Sequence, residues 1–437
     1  MIKFAVFLFI IFIALLGYLA ILNNEPVTLK LSEQSIYEVP KIALILLSSA
    51  IGALSMLVFI SVRDARRFIE NLQNQRRIKK AQKLQESYSK GLDAFYASRF
   101  EEASELFRRV IEDDPMNINA RLRQGDIAFN SNDFVKAKDF YLKAKDIRPQ
   151  SVETLFSLEK VFEAEKNWQG ALRYLDNIME IDEENPKALY RKREIFEKTR
   201  NWEALLDTQN KILKCDIPEK DKGQEQKSLL GYKYELGRHY LEKGEIEKAI
   251  KTLKSIVRMD KDFIAAYLAL AESYISNGEN EEAEKFLIEG YETTSVLVFL
   301  VRLEDFFIAI GEPGRIIDLY QKAIQSNPRD QKLQFFLAKL YYRLEMIDYA
   351  VETVAGIDIT IIDYPEVHML LGNIYERQGQ YDRAAEEFKK SLNFKKPLLV
   401  PYCCSICSYA SKEWVGRCPE CRHWNTLNLD LSGTCKI

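Results

Sequence analysis

Two stretches near the start of the chain carry no charged residue, Phe4 to Leu22 and Ile42 to Val62, and each is long enough to cross a bilayer as a helix. A secretory signal would have a shorter apolar core ending at a small-residue cleavage site. Here Gly17-Tyr18-Leu19-Ala20 leads into Ile21-Leu22-Asn23-Asn24, so a retained anchor is expected. Gly52-Ala53 in the second run predicts a close helical hairpin. Between the runs, alternation at Val27, Leu29 and Leu31 predicts a short extended piece at the outer membrane surface.

From about Leu84 to Leu392 the pattern changes to amphipathic helices repeating every 34 residues or so. Ala103, Ala137 and Ala171 keep that interval and Leu205 extends it. Ala249 and Ala283 keep the same step, and after a slip of one residue Ile316, Ala350 and Ala384 resume it. Small residues (Gly91, Gly125, Gly237, Ala271, Ala338, Gly372) lie twelve before these anchors, and larger ones (Phe107, Tyr141, Leu175, Leu253, Leu287, Tyr320, Val354, Phe388) lie four after. The small set lets antiparallel helices approach, and the large set fills the space between pairs. Pro115, Pro149 and Pro328, each twelve past an anchor, mark where a second helix stops. The period is that of a tetratricopeptide unit, about nine of them. The interval from Leu205 to Ala249 is 44, and the extra residues near Cys215-Asp216-Ile217-Pro218 predict a longer solvated loop dividing the array into four and five repeats.

Charge orients the chain. Arg63, Arg66, Arg67, Arg76, Arg77, Lys79, Lys80 and Lys83 follow the second apolar run, against Lys30 and Lys41 between the runs. The positive-inside rule then places both termini in the cytoplasm. This basic segment is read first as a topological stop signal and second as a grip on anionic lipid headgroups. The whole chain, with a net charge of -3 and a pI near 6.0, gives no reason to expect nucleic acid as a partner. There is no phosphate-binding glycine loop, Gly-x-Ser-x-Gly elbow or His-Glu-x-x-His helix, so no enzyme activity is expected. His239 and His368 fall within repeat helices and read as packed or surface imidazoles. Stacked helix pairs present an extended face for protein partners, offered in the second repeat by Asn119, Leu122, Asp126 and Phe129.

The densest chemistry lies at the end. Of seven cysteines, Cys403, Cys404, Cys407, Cys418 and Cys421 fall within nineteen residues. Cys404-x2-Cys407 and Cys418-x2-Cys421, ten residues apart, have the spacing of a four-thiolate knuckle for one structural metal ion, iron or zinc. So short a segment cannot bury enough apolar surface to fold alone, so the metal would supply stability. Cys403 reads as a spare thiol, Cys215 and Cys435 as incidental, and His423 as a substitute ligand for a site four cysteines already complete. Disulfide exchange is the competing chemistry, disfavoured because no βαβ pattern precedes these pairs.

The segments are therefore 1–62, a two-span membrane hairpin; 63–83, a basic cytoplasmic linker; 84–392, the repeat array; and 400–437, the four-cysteine metal domain. Tyr402-x-Cys404-x2-Cys407-x10-Cys418-Pro419-x-Cys421-Arg422-x-Trp424-x-Thr426, with Tyr88-x2-Gly91 in the first repeat, resembles the lipopolysaccharide assembly protein B family and its rubredoxin-like C-terminal domain. Asn24-Glu25-Pro26-Val27-Thr28-Leu29-Lys30-Leu31 and Val39-Pro40-Lys41-Ile42-Ala43-Leu44 resemble the companion A-type domain. The first resemblance implies a non-enzymatic inner-membrane adaptor facing the cytoplasm, with its metal domain packed against the repeats. It also implies partners: a membrane AAA+ protease, the lipid A deacetylase it degrades, and lipopolysaccharide synthesis or transport proteins. Membrane lipid surrounds the anchor, and homo-oligomerisation stays open. The two-span hairpin departs from that family's single anchor and suggests a fusion, which leaves the protease and substrate open. The alternatives are a general membrane scaffold without a role in proteolysis and, more remotely, a thiol redox protein.

Overall fold

The computed structural model of the chain describes residues 2–23, 25–32, 35–357, 365–393, 399–430 and 435. Asn24 of the A-type motif and residues 431–434 and 436–437 of the expected terminal domain lie outside the described residues. The chain divides into two compact units, Met1–Ser157 and Leu158–Ile437.

The first unit opens with the apolar helix α1 (Ile2–Leu22), then strands β1 (Pro26–Ser32) and β2 (Ser35–Pro40). The strands form an antiparallel hairpin with Val27 opposite Val39 and Leu29 opposite Tyr37, so the extended piece expected at Val27 is half of a ribbon. Next comes α2 (Lys41–Tyr96), 56 residues without a break. Among the described residues it is the helix long and apolar enough to cross a membrane. The basic segment 63–83 belongs to this same helix and is exposed along almost all its length. At about 1.5 Å per residue, the part beyond Val62 projects roughly 50 Å. The close helix approach expected at Gly52 is not made. α1 and α2 are joined through the β1–β2 ribbon instead of a tight turn, and among the described residues no atom of another element lies within 4 Å of where a Cβ on Gly52 would sit.

Helix pairs then follow in sequence. The end of α2 pairs with α3 (Phe100–Asp113), and α4 (Ile118–Asn130) with α5 (Phe134–Ile147). After them come α6 (Val152–Ala164), α7 (Trp168–Ile181), α8 (Pro186–Lys198) and α9 (Trp202–Lys214). Then follow α10 (Glu219–Glu242), α11 (Ile246–Met259), α12 (Ile264–Ser276) and α13 (Asn280–Thr294). The last are α14 (Val298–Ala309), α15 (Pro313–Ser326), α16 (Gln331–Arg343), α17 (Ile347–Ala355), α18 (Pro365–Arg377) and α19 (Tyr381–Asn393). Every anchor from Ala103 to Ala384 is buried. Helices α3, α5 and α15 end two residues before Pro115, Pro149 and Pro328, whose missing N–H cannot extend the ladder.

The small and large positions meet each other. A Cβ built on Gly125 would lie 2.3 Å from the Tyr141 ring, and one on Gly372 would lie 2.4 Å from Phe388. Within a pair, then, the large residue of the second helix lies flat on the small residue of the first. The Tyr141 hydroxyl is fixed as well, donating to Asp126 at 2.8 Å. The turn inside each pair shows a regularity that hydrophobic patterning misses. Ser98, Asn132, Lys166, Arg200, Gly244, Gly278, Gly311, Glu345 and Gly379 all have positive φ, and each lies five residues before an anchor. Only four of these are glycine. Side-chain caps follow at Asp133, Asn167 and Asn201, each accepting from a backbone N–H of the second helix.

The loop expected near Cys215 is mostly helix. α10 is 24 residues long, and the ten extra residues extend its first turns. Glu219 and Asp221 favour the N-terminal dipole. Glu225, buried, accepts from Arg193 at 2.5 Å and from Gln209 at 2.7 Å, tying the extension to α8 and α9. A hydrophobic run could not reveal this, because the anchoring contacts are polar and lie up to 32 residues away.

Gly125→Ala is expected to destabilise the chain by about 1–3 kcal/mol, since the pinned Tyr141 ring must move. Gly223→Ala in the α10 extension, where nothing lies within 4 Å of a Cβ, is expected to stabilise by roughly 0.5–1 kcal/mol through helix propensity. Urea unfolding of the two variants in parallel checks both signs.

Candidate metal centre and its seat on the repeats

The terminal segment folds as a three-stranded antiparallel sheet in the order β4-β3-β5, with β3 (Tyr402–Cys404) between β4 (Ala410–Ser411) and β5 (Leu427–Leu429). Two turns of the same build face each other. The Ser408 N–H donates to the Cys404 carbonyl and the Arg422 N–H to the Cys418 carbonyl, both at 2.9 Å, and Ser408 and Arg422 have φ of 60 and 59. Each Cys-x-x-Cys thus wraps around its own turn and aims two sulfurs the same way.

The four sulfurs of Cys404, Cys407, Cys418 and Cys421 lie within 4.8 Å of one another. Cys404 to Cys421 and Cys407 to Cys418 are each 3.6 Å. Tetrahedral bonds of about 2.3 Å to a common ion would separate sulfurs by roughly 3.8 Å, so the cluster fits a four-thiolate metal. The thiols differ in acidity. Burial opposes ionisation of Cys404, but hydrogen bonds from Thr426 and from the Cys407 and Ile406 backbone outweigh it and lower the thiol to about 6. Burial and the neighbouring thiols push Cys421 up to about 12, and burial also raises Cys418. A cation at the centre would reverse the last two shifts, because it favours every thiolate at once. His423 is outside the cluster: its Nδ1 lies 2.9 Å from the Cys421 carbonyl oxygen.

Cys403 and Cys435 need correction. Adjacent residues on a strand point to opposite faces, so Cys404 faces the cluster while Cys403 faces away. There Cys403 is joined to Cys435 as a disulfide, with their Cα atoms 5.6 Å apart. Neither is a stray thiol, and spacing alone could not pair residues 32 apart.

The knuckle rests on the second unit along the first helices of successive pairs. Arg417 pairs with Glu197 of α8 at 2.8 Å, and its guanidinium stacks 4.2 Å from the Trp424 ring. Trp424 donates to Glu235 of α10 at 3.0 Å and packs edge-on against Tyr232. Gly231 makes room for this indole, since a Cβ there would lie 2.4 Å from it. Asn425 donates to the Asp262 carbonyl at 2.8 Å and accepts from the Ala265 N–H of α12 at 3.3 Å. At the far end the Val400 N–H donates to Glu366 of α18 at 2.9 Å, and Lys339 of α16 holds the same carboxylate at 2.5 Å. Tyr402, Cys404, Cys418 and Leu427 share one continuous core with the repeats from Leu230 to Ile374.

The expected partner face is thereby divided. In the second unit the knuckle takes up part of the first helices α8, α10, α12 and α18. In the first unit, Leu122 is buried in the core, and Asp126 is taken by Arg123 and Tyr141. His239 and His368 lie in α10 and α18 as expected, and His368 Nδ1 sits 2.6 Å from Glu387. Trp424 lay in the motif visible in the sequence, but its partner Glu235 is 189 residues away, and the Glu197 partner of Arg417 is 220 away, with no spacing signal.

Residues 88–152, 240–290 and 365–396 match tetratricopeptide repeat families, and residues 402–428 match the rubredoxin metal binding domain. The chain is a tetratricopeptide repeat protein, of a class built for protein–protein interaction, with a C-terminal rubredoxin-like domain whose four cysteines indicate a structural metal. This combination matches the architecture of lipopolysaccharide assembly protein B. A curated relative, the TPR repeat-containing protein YpiA of Bacillus subtilis (strain 168), is 25% identical over 171 residues, which is 39% of this chain and 39% of that protein. Similar solved structures include MamA, with 16% identity, a TM-score of 0.25 and coverage of 48% of this chain and 91% of that one. Naa15/Naa10 bound to HypK-THB has 14% identity, a TM-score of 0.42 and coverage of 70% and 58%.

Trp424→Ala is expected to cost roughly 2–4 kcal/mol in the second unit through lost packing. Hydrogen exchange should rise at the β3 amides and stay unchanged in α3 to α5. A pH effect comes from Glu304 of α14, which accepts from the Tyr320 hydroxyl at 2.5 Å and whose carboxyl burial pushes up to about 7. Its folded value is raised, so its stabilising share is full below the unfolded range near 4.5 and is lost as pH rises through about 7. Glu304→Gln should therefore gain stability relative to the parent chain between pH 6 and 8, by up to about 3 kcal/mol, read by thermal unfolding.

Proposed function

We propose that this chain is an inner-membrane adaptor that coordinates lipopolysaccharide assembly by regulating proteolysis of the lipid A deacetylase through a membrane AAA+ protease. The observation that carries this reading is the rubredoxin-like knuckle seated on tetratricopeptide helices, the domain combination of lipopolysaccharide assembly protein B. The repeats supply partner surfaces. The knuckle braces first helices α8, α10, α12 and α18, and the chain itself performs no catalysis.

Cys404, Cys407, Cys418 and Cys421 hold one iron or zinc ion, which supplies folding stability to a sheet too small to keep a core unaided. α1 and the apolar part of α2 form two spans, with both termini in the cytoplasm, as the basic residues after Val62 favour. The domain limits then follow at 1–62, 63–83, 84–392 and 400–437, with 63–83 a helical stalk. The uninterrupted helix lifts the repeats away from the lipid surface, where they can reach the cytoplasmic parts of membrane-bound partners. A general scaffold without a role in proteolysis uses the same surfaces and is the second reading.

Depletion of the protein should change both deacetylase abundance and lipopolysaccharide level; constancy of both rejects the adaptor. Crosslinking in cells separates the two readings, since only the adaptor captures a protease together with its substrate. For the metal, about one ion per chain is expected, and Cys418→Ser should lose it along with the terminal sheet while leaving the first unit folded. Metal analysis and hydrogen exchange on the same sample read both effects.

A further inference from the structure

We propose that Cys403 and Cys435 form a reversible disulfide latch that closes the metal knuckle and responds to the thiol redox state around it. The pair is separate from the four-cysteine cluster, because Cys403 occupies the opposite face of β3 from Cys404. The Cα atoms of the two residues are 5.6 Å apart, a separation that a disulfide spans. Asp430 and Cys435 are held by polar contacts that do not need the bond. The Asp430 N–H donates to the Pro401 carbonyl at 2.9 Å, and the Cys435 N–H donates to the Asp430 carboxylate at 3.0 Å. Asp430 is itself buried, so this anchor is part of the fold.

The placement gives the bond a consequence. In sequence the stretch from Cys403 to Cys435 includes all four clustered cysteines, so the bond ties the first strand of the knuckle to a residue six positions past its last strand. A cross-link of this kind removes freedom from the opened state, and release of the metal requires opening. The latch rests on the cytoplasmic reading above in one respect: in a reducing compartment such a bond is transient and regulatory, not permanent. Cys435, only half-buried, is the entry point; Cys403 is buried.

The oxidant is a small-molecule disulfide such as oxidised glutathione. The Cys435 sulfur attacks one of its sulfurs, forming a mixed disulfide and releasing one glutathione thiol. The Cys403 sulfur then attacks the Cys435 sulfur, forming the protein disulfide and releasing the second. Two electrons pass from the protein thiols to the glutathione disulfide, and the two thiol protons end on the released glutathiones.

The test uses the full-length, metal-loaded chain in detergent, equilibrated at several ratios of reduced to oxidised glutathione and then alkylated after denaturation. Peptide mapping should find Cys403 linked to Cys435 at oxidising ratios and both alkylated at reducing ones. Extraction of the metal by a chelator should be slower in the oxidised chain by about tenfold or more. Cys435→Ser, altered at a half-buried position outside the sheet, should fold, load metal and show one extraction rate at every ratio. Free Cys403 and Cys435 at all ratios, equal extraction rates in the two states of the parent chain, or two metal ions per chain would each overturn the latch. A chain that forms the linkage and never binds metal would instead reject the four-cysteine metal reading, and the latch with it as a device of metal retention. Protease accessibility of the second unit in sealed inside-out vesicles checks the compartment independently.

Discussion

The repeats depend on one contact made again and again: the flat side of a large residue on the second helix lying against a nearly bare stretch of the first. Gly125 under Tyr141 and Gly372 under Phe388 allow backbones and rings to meet at distances that no added side chain would permit. The buried alanines and leucine of the anchor series fill the space beside this contact. Because interiors are packed like crystals, each such contact fixes the crossing of its pair, and a small error would be felt along the stack. The left-handed residue five places before every anchor is the backbone counterpart of that constraint. It turns the chain within three or four residues so that the second helix returns onto the first.

The knuckle solves a different problem. Its strands are two or three residues long, too short to enclose a core, and it obtains stability from two outside sources. One is the four-thiolate cluster. The other is the face of the repeats, where Trp424, Arg417 and Asn425 reach three separate helices. The exchange is mutual: Tyr402, Cys404, Cys418 and Leu427 complete a hydrophobic core that runs on through the repeat helices. A surface that a bare repeat array would offer to partners is here occupied from within the chain.

At the other end, α2 joins the membrane question to the repeat question in a single element. Its apolar start, basic middle and packed end belong to one helix, so a candidate membrane span and the first repeat are connected by a rigid rod. Flexible linkers let a domain explore its surroundings; a continuous helix sets a distance.

Much of this was readable along the chain because the forces involved are periodic. The 34-residue step, the small and large partners of each anchor and the stopping prolines all follow from helix geometry, and each holds in the folded chain. The four clustered cysteines were legible for a similar reason, since a Cys-x-x-Cys turn is local. What the sequence could not settle depends on contacts between distant residues. Residues 219–228 became helix because Arg193 and Gln209 hold Glu225. Among the described residues Gly52 gained no close neighbour from another element, although the Gly52-Ala53 pair suggested one. The non-glycine residues at positive φ are imposed by the return of the second helix, against their own preference. Cys403 and Cys435, unremarkable by spacing, are paired on the side of β3 away from the four-cysteine cluster. Local periodicity thus determined the elements and the candidate metal cluster. Tertiary structure alone decided where the knuckle sits, because its seat is made by residues that only folding brings together.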